Sequence, residues 1–398
     1  MADTTESLVI APQWIGDAVM TEPLLRRLHA RGERLTVGAL PWVAPVYRAM
    51  PHVAEVIEFP FAHGGLQLKA RRSLAKQLQG RFSTAYICPN SLKSALLPFL
   101  ASIPKRVGYL GEARVGLLTH RLKNPPKTQR PPMVAFYSAL SGEPGMAQDR
   151  PQLHVNPTDT DLMLASHGLH RGGYYVLAPG AEYGPAKRWP LGNFAAAAHT
   201  VSATLNSEWS LIGAPSETAM GTTLSAMMSD TPHRNLVGQT SLRQLIDELS
   251  ACDLLLTNDT GTMHLAAALG IRVVAVFGST EPGWTGPSGH GHTVLRHHVP
   301  CSPCFKRTCP LTQGRYKCFD AISAEKAAWA VIDALGQGTL TPAPAPTPKS
   351  TPAPTPVPTS ALTAPATEAA PTPAPTSALT VVRAPAHPTK KSKPRWTK

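Results

Sequence analysis

The sequence predicts an α/β fold: two doubly wound parallel sheets, each covered by helices, opposed across a cleft and followed by a disordered C-terminal tail. Three observations predict it. Short apolar runs alternate with helix-period patterns twice along the chain, as they do where helices cover both faces of a parallel sheet. In each half, one of those runs opens without a linker into a small polar turn and then a helix. From Thr339 onward the chain consists of Pro, Ala and Thr repeats, with too few large apolar groups to offset chain entropy.

The first half contains the strand-like runs LVIA (8–11), LTVGAL (35–40), VIEF (56–59) and AYIC (85–88). After the first of these, Gly16 and Asp17 lie in the turn that precedes a helix. The second half repeats the plan with YYVLAPG (174–180), WSLIGA (209–214), NLVG (235–238), DLLLTN (253–258) and RVVAVFG (272–278). A chain of 398 residues exceeds what one core usually serves. Pro151, Pro157, Gly168, Gly172 and Gly173 cluster at the seam, giving domains at 1–160 and 161–338 and a tail at 339–398. Such sheets bind ligands outside the carboxyl ends of their strands.

The stretch CDLLLTNDTGTMHLAAALG (252–270) carries the most chemistry. Leu254 to Leu256 read as a buried strand, Thr260 and Gly261 as the bend, and Met263 to Leu269 as an apolar helix face. The first N–H groups of that helix lack intrahelical partners and the macrodipole adds positive charge, so the turn suits a phosphate. The loop PGAEYGPAKRWP (179–190) adds Lys187, a point charge suited to phosphate, with Arg188 beside it. Neither half has the G-x-G-x-x-G turn of dinucleotide binding or the G-x-x-x-x-G-K-[ST] loop, which lowers the weight of hydride transfer and NTP hydrolysis. Each residue also has a plainer reading: a solubilising loop for Lys187 and Arg188, helix capping for Asp17, Asp259 and Thr260, and a packed helix histidine for His264.

The net charge of +13 is unevenly divided. The tail holds seven Lys or Arg and one acid, Glu368, so it carries +6 and the rest +7. Lys69, Arg71, Arg72 and Lys76 share one predicted helix, followed by Lys105, Arg106, Arg114, Arg121, Lys123, Lys127 and Arg130. Such a surface attracts nucleic acid, an anionic membrane face or a phosphorylated substrate, although a solvated helix face explains any single cation. The start, MADTTES, is polar and acidic, and no apolar run approaches the ~18 residues of a membrane span, so a cytoplasmic protein is expected.

Cys301, Cys304, Cys309 and Cys318 lie close together, whereas Cys88 and Cys252 sit in apolar strand contexts as buried thiols. In a reducing compartment the cluster suggests a structural zinc before disulfides, with free thiols as the alternative. Asp159-Thr160-Asp161 has the look of a metal-binding D-x-D, but it stands before a helical run near the seam, where capping accounts for it.

GDAVMTEPLL (16–25), PNSLKSALLPFLASIPKRVGYLGEARVGLLT (89–119), PGAEYGPAKRWP (179–190) and TNDTGTMHLAAALG (257–270) together resemble the ADP-heptose:lipopolysaccharide heptosyltransferases, in register over roughly residues 7–300. The resemblance implies the GT-B architecture of two Rossmann-like domains, the N-terminal one taking the lipid-linked acceptor and the C-terminal one the nucleotide sugar. It further implies inverting transfer of L-glycero-D-manno-heptose from ADP-heptose to the first heptose of the inner core, at the inner face of the inner membrane, with no cofactor needed for catalysis. By the same resemblance Asp17 is the general base. Lys187, Gly261, Thr262 and His264 would stabilise the leaving ADP, Asp259 contacts the donor sugar, and Thr260 belongs to the diphosphate turn. Glu217, after the run at 209–214, is placed to accept ribose hydroxyls. A sister enzyme adding the first or third heptose is the near alternative, and a nucleic-acid-binding protein on a degenerate enzyme fold the distant one. Against the latter, the cysteines follow no finger spacing and aromatics make up 6% of residues.

Overall fold

The computed structural model describes residues 5–61, 65–146 and 149–336. The predicted tail and its terminal lysines lie outside the described residues. Among the described residues the first sheet contains β1 (Thr5–Ile10), β2 (Glu33–Ala39), β3 (Val53–Glu58), β4 (Thr84–Ile87), β5 (Lys105–Tyr109) and β6 (His120–Leu122), in the order β3-β2-β1-β4-β5-β6. The second contains β7 (Tyr174–Ala178), β8 (Glu208–Leu211), β9 (His233–Asn235), β10 (Leu254–Asn258), β11 (Arg272–Phe277) and β12 (Thr293–Arg296), in the order β12-β11-β10-β7-β8-β9. All neighbours are parallel. The two sheets therefore share one winding, which reverses between β1 and β4 in the first and between β7 and β10 in the second. Open α/β sheets bind ligands at that reversal.

The central strands form because their side chains are apolar on both faces. Along β1, Val9 enters one buried cluster while Leu8 and Ile10 enter another, as the two-residue period of a strand requires. Residues from both sheets, including Val9, Val37, Leu255 and Phe277, join in the middle cluster. The outer face of the second sheet packs Leu177, Trp189, Trp209 and Val276 against the helix Ala324–Ala334. Each fully buried Leu or Val contributes about 1.5–3 kcal/mol relative to exposure.

β5, β6 and β12 are absent from the predicted strands, and β9 lies two residues before its predicted run. β6 (HRL) and β9 (HRN) are short polar edge strands, β12 (TVLR) is a four-residue edge strand in which only Leu295 is buried, and β5 opens with Lys105 and Arg106. Their pairing is supplied by the neighbouring strand instead of by apolar patterning.

Between the two sheets, Leu153 N donates to Ala268 O at 2.9 Å and His154 N to Ala49 O at 2.8 Å, so this connection is tied to both halves. The next helix, Pro157–Ser166, is capped by Asn156, not by the D-x-D aspartates. Asp159 and Asp161 pair with Arg243 and Arg171 at 3.2 and 2.7 Å, and Thr160 Oγ1 donates to Asp247 at 3.0 Å. Two cations of the expected basic surface also turn inward. Arg71 stacks on Phe61 at 4.1 Å, and the wholly buried Arg114 donates to Tyr109 O, Pro89 O and Asn90 Oδ1, with burial lowering its pKa to about 10. No helix among the described residues is long and apolar enough to cross a membrane.

Glu248 is buried in the second half and accepts from Ser210 Oγ, while its Oε2 has no partner. Burial raises its pKa to about 7, against the Ser210 hydrogen bond that lowers it. Because the folded value lies above the ordinary 4.5, this group's stabilisation is complete below that value and is lost as pH rises through about 7. Glu248→Gln is expected to raise the melting temperature at about pH 8 and to change it little at about pH 5. Thermal denaturation at the two pH values checks this.

Candidate active site

Each sheet's winding reversal delivers one loop pair to the same place. β1 passes directly into the helix Ile15–Met20, whose N-cap residue, Trp14, provides no side-chain cap. Asp17 lies in the first turn of that helix and is not its cap. Its carboxylate Oδ1 instead accepts a hydrogen bond from the Tyr137 hydroxyl at 2.9 Å. In the second sheet, β10 passes into the helix Gly261–Ala268, and its N-cap residue, Thr260, likewise makes no side-chain cap bond. The first-turn N–H groups there are left to another acceptor.

These two helix starts touch. A Cβ on Gly16 would lie 2.7 Å from His264 Cδ2, and one on Gly261 would lie 2.8 Å from Ile15 Cβ. Glycine at both positions lets the helix beginnings meet in direct contact.

In the second sheet, Asp259 follows β10 and is 4% exposed. Its Oδ2 lies 2.6 Å from Lys187 Nζ and accepts from Thr280 Oγ1 at 2.5 Å. The loop that carries Lys187 is held by Asn258, whose Nδ2 donates to Pro179 O at 2.7 Å while its Oδ1 accepts from Trp189 N at 3.0 Å. Trp189 Nε1 donates to Ile322 O at 3.0 Å. Two further bonds come from the segment after β12: the Tyr183 hydroxyl donates to Phe305 O at 2.8 Å and Ala186 N to Arg307 O at 3.0 Å. Lys187 is thus a fixed cation on a braced loop, not a solubilising one.

Asp17, Lys187 and Asp259 share one electrostatic field. Burial raises the Asp17 pKa above its ordinary 3.8, the Tyr137 hydrogen bond and the Lys187 and Arg130 charges oppose that rise, and Asp259 adds to it. A carboxylate so placed is ionised, and able to take a proton, only above its raised pKa. Tyr137→Phe removes the largest opposing influence. If Asp17 takes a proton in turnover, the acidic limb of the kcat/KM profile is therefore expected to move to higher pH, and a limb that stays in place would break the link between Tyr137 and Asp17.

His264 is buried against Gly16, and desolvation lowers its pKa to about 4, so at neutral pH it is an uncharged imidazole. It braces the two helix starts and can offer a neutral N–H, but not a second cation. Glu217 ends a short turn after β8 and lies against the loop after β7: Oε2 accepts from Ala214 N at 3.0 Å, and Arg188 is 3.8 Å from Oε1. A Cβ on Gly180 would fall 2.3 Å from this carboxylate, so Gly180 leaves it room at the rim. Thr262 lies in the first turn of the helix Gly261–Ala268, partly exposed. Tyr137, Thr280 and Asn258 escape the sequence reading as site residues. Thr280 has a findable signal, since it closely follows the carboxyl end of β11.

The four clustered cysteines all border one cavity of about 40 Å³, together with Ser279, Ser302 and Tyr316. Among the described residues, no group of three or more His, Cys, Asp or Glu is arranged to hold a metal ion. The thiols therefore surround a space without converging on it. Cys88 and Cys252 are buried, and burial raises both thiol pKa values.

A fixed cation and a helix start beside a buried carboxylate suit displacement of a phosphate leaving group. The model of glycosyltransferase family 9 (heptosyltransferase) matches residues 71–314. Lipopolysaccharide heptosyltransferase 2 of Salmonella typhimurium is 37% identical over 308 residues, covering 73% of this chain and 87% of that protein. Lipopolysaccharide heptosyltransferase 2 of Escherichia coli K12 is 37% identical over 305 residues, with the same coverage. The solved structure of E. coli ADP-heptose lps heptosyltransferase II superposes with a TM-score of 0.71 at 32% identity, covering 84% of this chain and 99% of that one.

Proposed function

The chain belongs to glycosyltransferase family 9, the heptosyltransferases, and from that premise we propose that it works as a heptosyltransferase II. It transfers L-glycero-D-manno-heptose from ADP-heptose to the first heptose of the lipopolysaccharide inner core. The observation that carries this reading is the contact between the two helix starts at Gly16 and Gly261, which brings Asp17, after β1, within electrostatic reach of the Lys187–Asp259 pair. Residues 1–160 take the acceptor and residues 161–338 the donor, across the GT-B pair of sheets.

In this reading Asp17 removes the proton of the acceptor hydroxyl as its oxygen bonds to the anomeric carbon. The attack comes from the face opposite the diphosphate, so configuration inverts. The bond from anomeric carbon to phosphate oxygen breaks with its electron pair going to ADP. Lys187 and the N–H groups at Gly261 and Thr262 stabilise that charge with no metal in the step. Asp259 holds Lys187 and faces the sugar, and Glu217 receives the ribose hydroxyls. The lipid-linked acceptor places the enzyme at the inner face of the inner membrane, and nucleic acid has no part in the reaction.

The test is mass-spectrometric detection of heptose transfer from ADP-heptose to purified Kdo-lipid A acceptors carrying zero, one or two heptoses. Addition to the one-heptose acceptor is expected. Exclusive use of either other acceptor would assign the chain to a sister activity, and no transfer to any would overturn the reading.

A further inference from the structure

Between β12 and the helix Ala324–Ala334, residues 297–323 contain no helix or strand. Connections longer than about 12–15 residues without structure of their own are uncommon in compact domains. This one is anchored at its far end by Phe319 and Ile322, which are 2% and 1% exposed in the second domain's outer core. Its middle is tied to the end of β11 by Ser302 Oγ, which donates to Gly278 O at 2.6 Å, and by Phe305 N, which donates to Ser279 O at 2.8 Å, while Cys301, Cys304, Cys309 and Cys318 line one small cavity beside these bonds. Tyr316 N donates to Cys309 Sγ at 3.5 Å, the kind of backbone bond that supports a sulfur ligand.

The segment has a task. Phe305 O and Arg307 O, flanked by the cysteines, are the acceptors that hold Tyr183 and Ala186 of the Lys187 loop. A Cβ on Gly184 would lie 2.5 Å from Arg307 O, so the two loops are in direct backbone contact. Whatever fixes residues 301–318 also fixes the cation of the donor site.

We propose that Cys301, Cys304, Cys309 and Cys318 form a structural site for a thiophilic divalent ion of the zinc type, which locks this segment against the Lys187 loop. Four thiolates around such an ion carry a net charge of about −2, and Lys306, Arg307, Arg315 and Lys317 lie within the same segment to offset it. Among the described residues no three thiols converge, so binding draws them in from the cavity walls until each sulfur lies about 2.3 Å from one ion. The proposal stands on the loop and its cysteines and does not depend on the identity of the sugar.

The test uses the full chain purified under reducing conditions without chelator, analysed for metals by mass spectrometry, and again after reconstitution with zinc or cobalt. About one equivalent is expected in the wild type and less than about a tenth in Cys304→Ser and Cys309→Ser, with the absorption bands of tetrahedral thiolate-bound cobalt in the wild type alone. A chelator should lower the melting temperature of the wild type and leave that of the variants unchanged. Less than about a tenth of an equivalent after reconstitution would overturn the proposal. So would metal retained by both variants, or two disulfides found among these cysteines in protein isolated without reductant.

Discussion

Asp17→Asn is expected to lower turnover by about 10²-fold or more, the scale of a lost general base, while the affinity for ADP-heptose is kept. The substitution preserves shape, so the oxygen of the introduced amide can still accept from the Tyr137 hydroxyl, which lies 2.9 Å from the native carboxylate, and the helix Ile15–Met20 keeps its seat against His264. What disappears is the only proton acceptor proposed for the reacting hydroxyl. Donor binding is expected to be kept because the substitution leaves Lys187 and the helix start at Gly261 in place. Steady-state kinetics gives kcat, and calorimetry with a non-transferable donor analogue gives affinity. Turnover within about tenfold of wild type would remove Asp17 from the chemistry, and a large loss of affinity would recast it as a donor ligand.

Asp17 and Asp259 were legible in the sequence because each stands where an apolar run opens directly into a helix, and the sheets place those openings at their winding reversals. The four central strands β1, β4, β7 and β10 were legible for the same reason: they are buried on both faces and read as unbroken apolar runs. The edge strands were not, because β6 and β9 consist largely of polar residues whose only reason to extend is the neighbour they pair with. Contacts between distant parts of the chain were equally silent. Nothing in the stretch around Tyr137 says that it reaches Asp17, 120 residues earlier. Arg114 illustrates the opposite failure: composition counted it as surface charge, yet it is buried among carbonyl oxygens because the loops after β4 and β5 close over it. The plainer reading of Asp17, Asp259 and Thr260 as helix caps does not hold at either helix start. Their helix starts carry no side-chain cap, which leaves N–H groups for a ligand.

Lys187→Ala is expected to weaken ADP-heptose binding by about 10- to 100-fold, the equivalent of the roughly 1.5–3 kcal/mol of a charge-assisted hydrogen bond, and to lower kcat as well. Two effects act in the same direction. The diphosphate loses a cation that is fixed by a braced loop and is only 14% exposed, so water replaces it poorly. Asp259, 4% exposed and 2.6 Å from the missing ammonium, is left with the Thr280 hydroxyl as its remaining side-chain partner and faces the donor as an unneutralised carboxylate. The same loss costs the folded state about 3 kcal/mol or more, as broken buried pairs do, so melting temperature must be measured beside affinity. The double variant Lys187→Ala with Asp259→Asn separates the terms. Removing the stranded charge should restore most of the stability and part of the donor affinity, while the rate defect remains, because no cation meets the charge that develops on ADP. If Lys187→Ala binds donor as tightly as wild type, the pair serves only to hold the loop, and the leaving group is stabilised by the helix start at Gly261 alone.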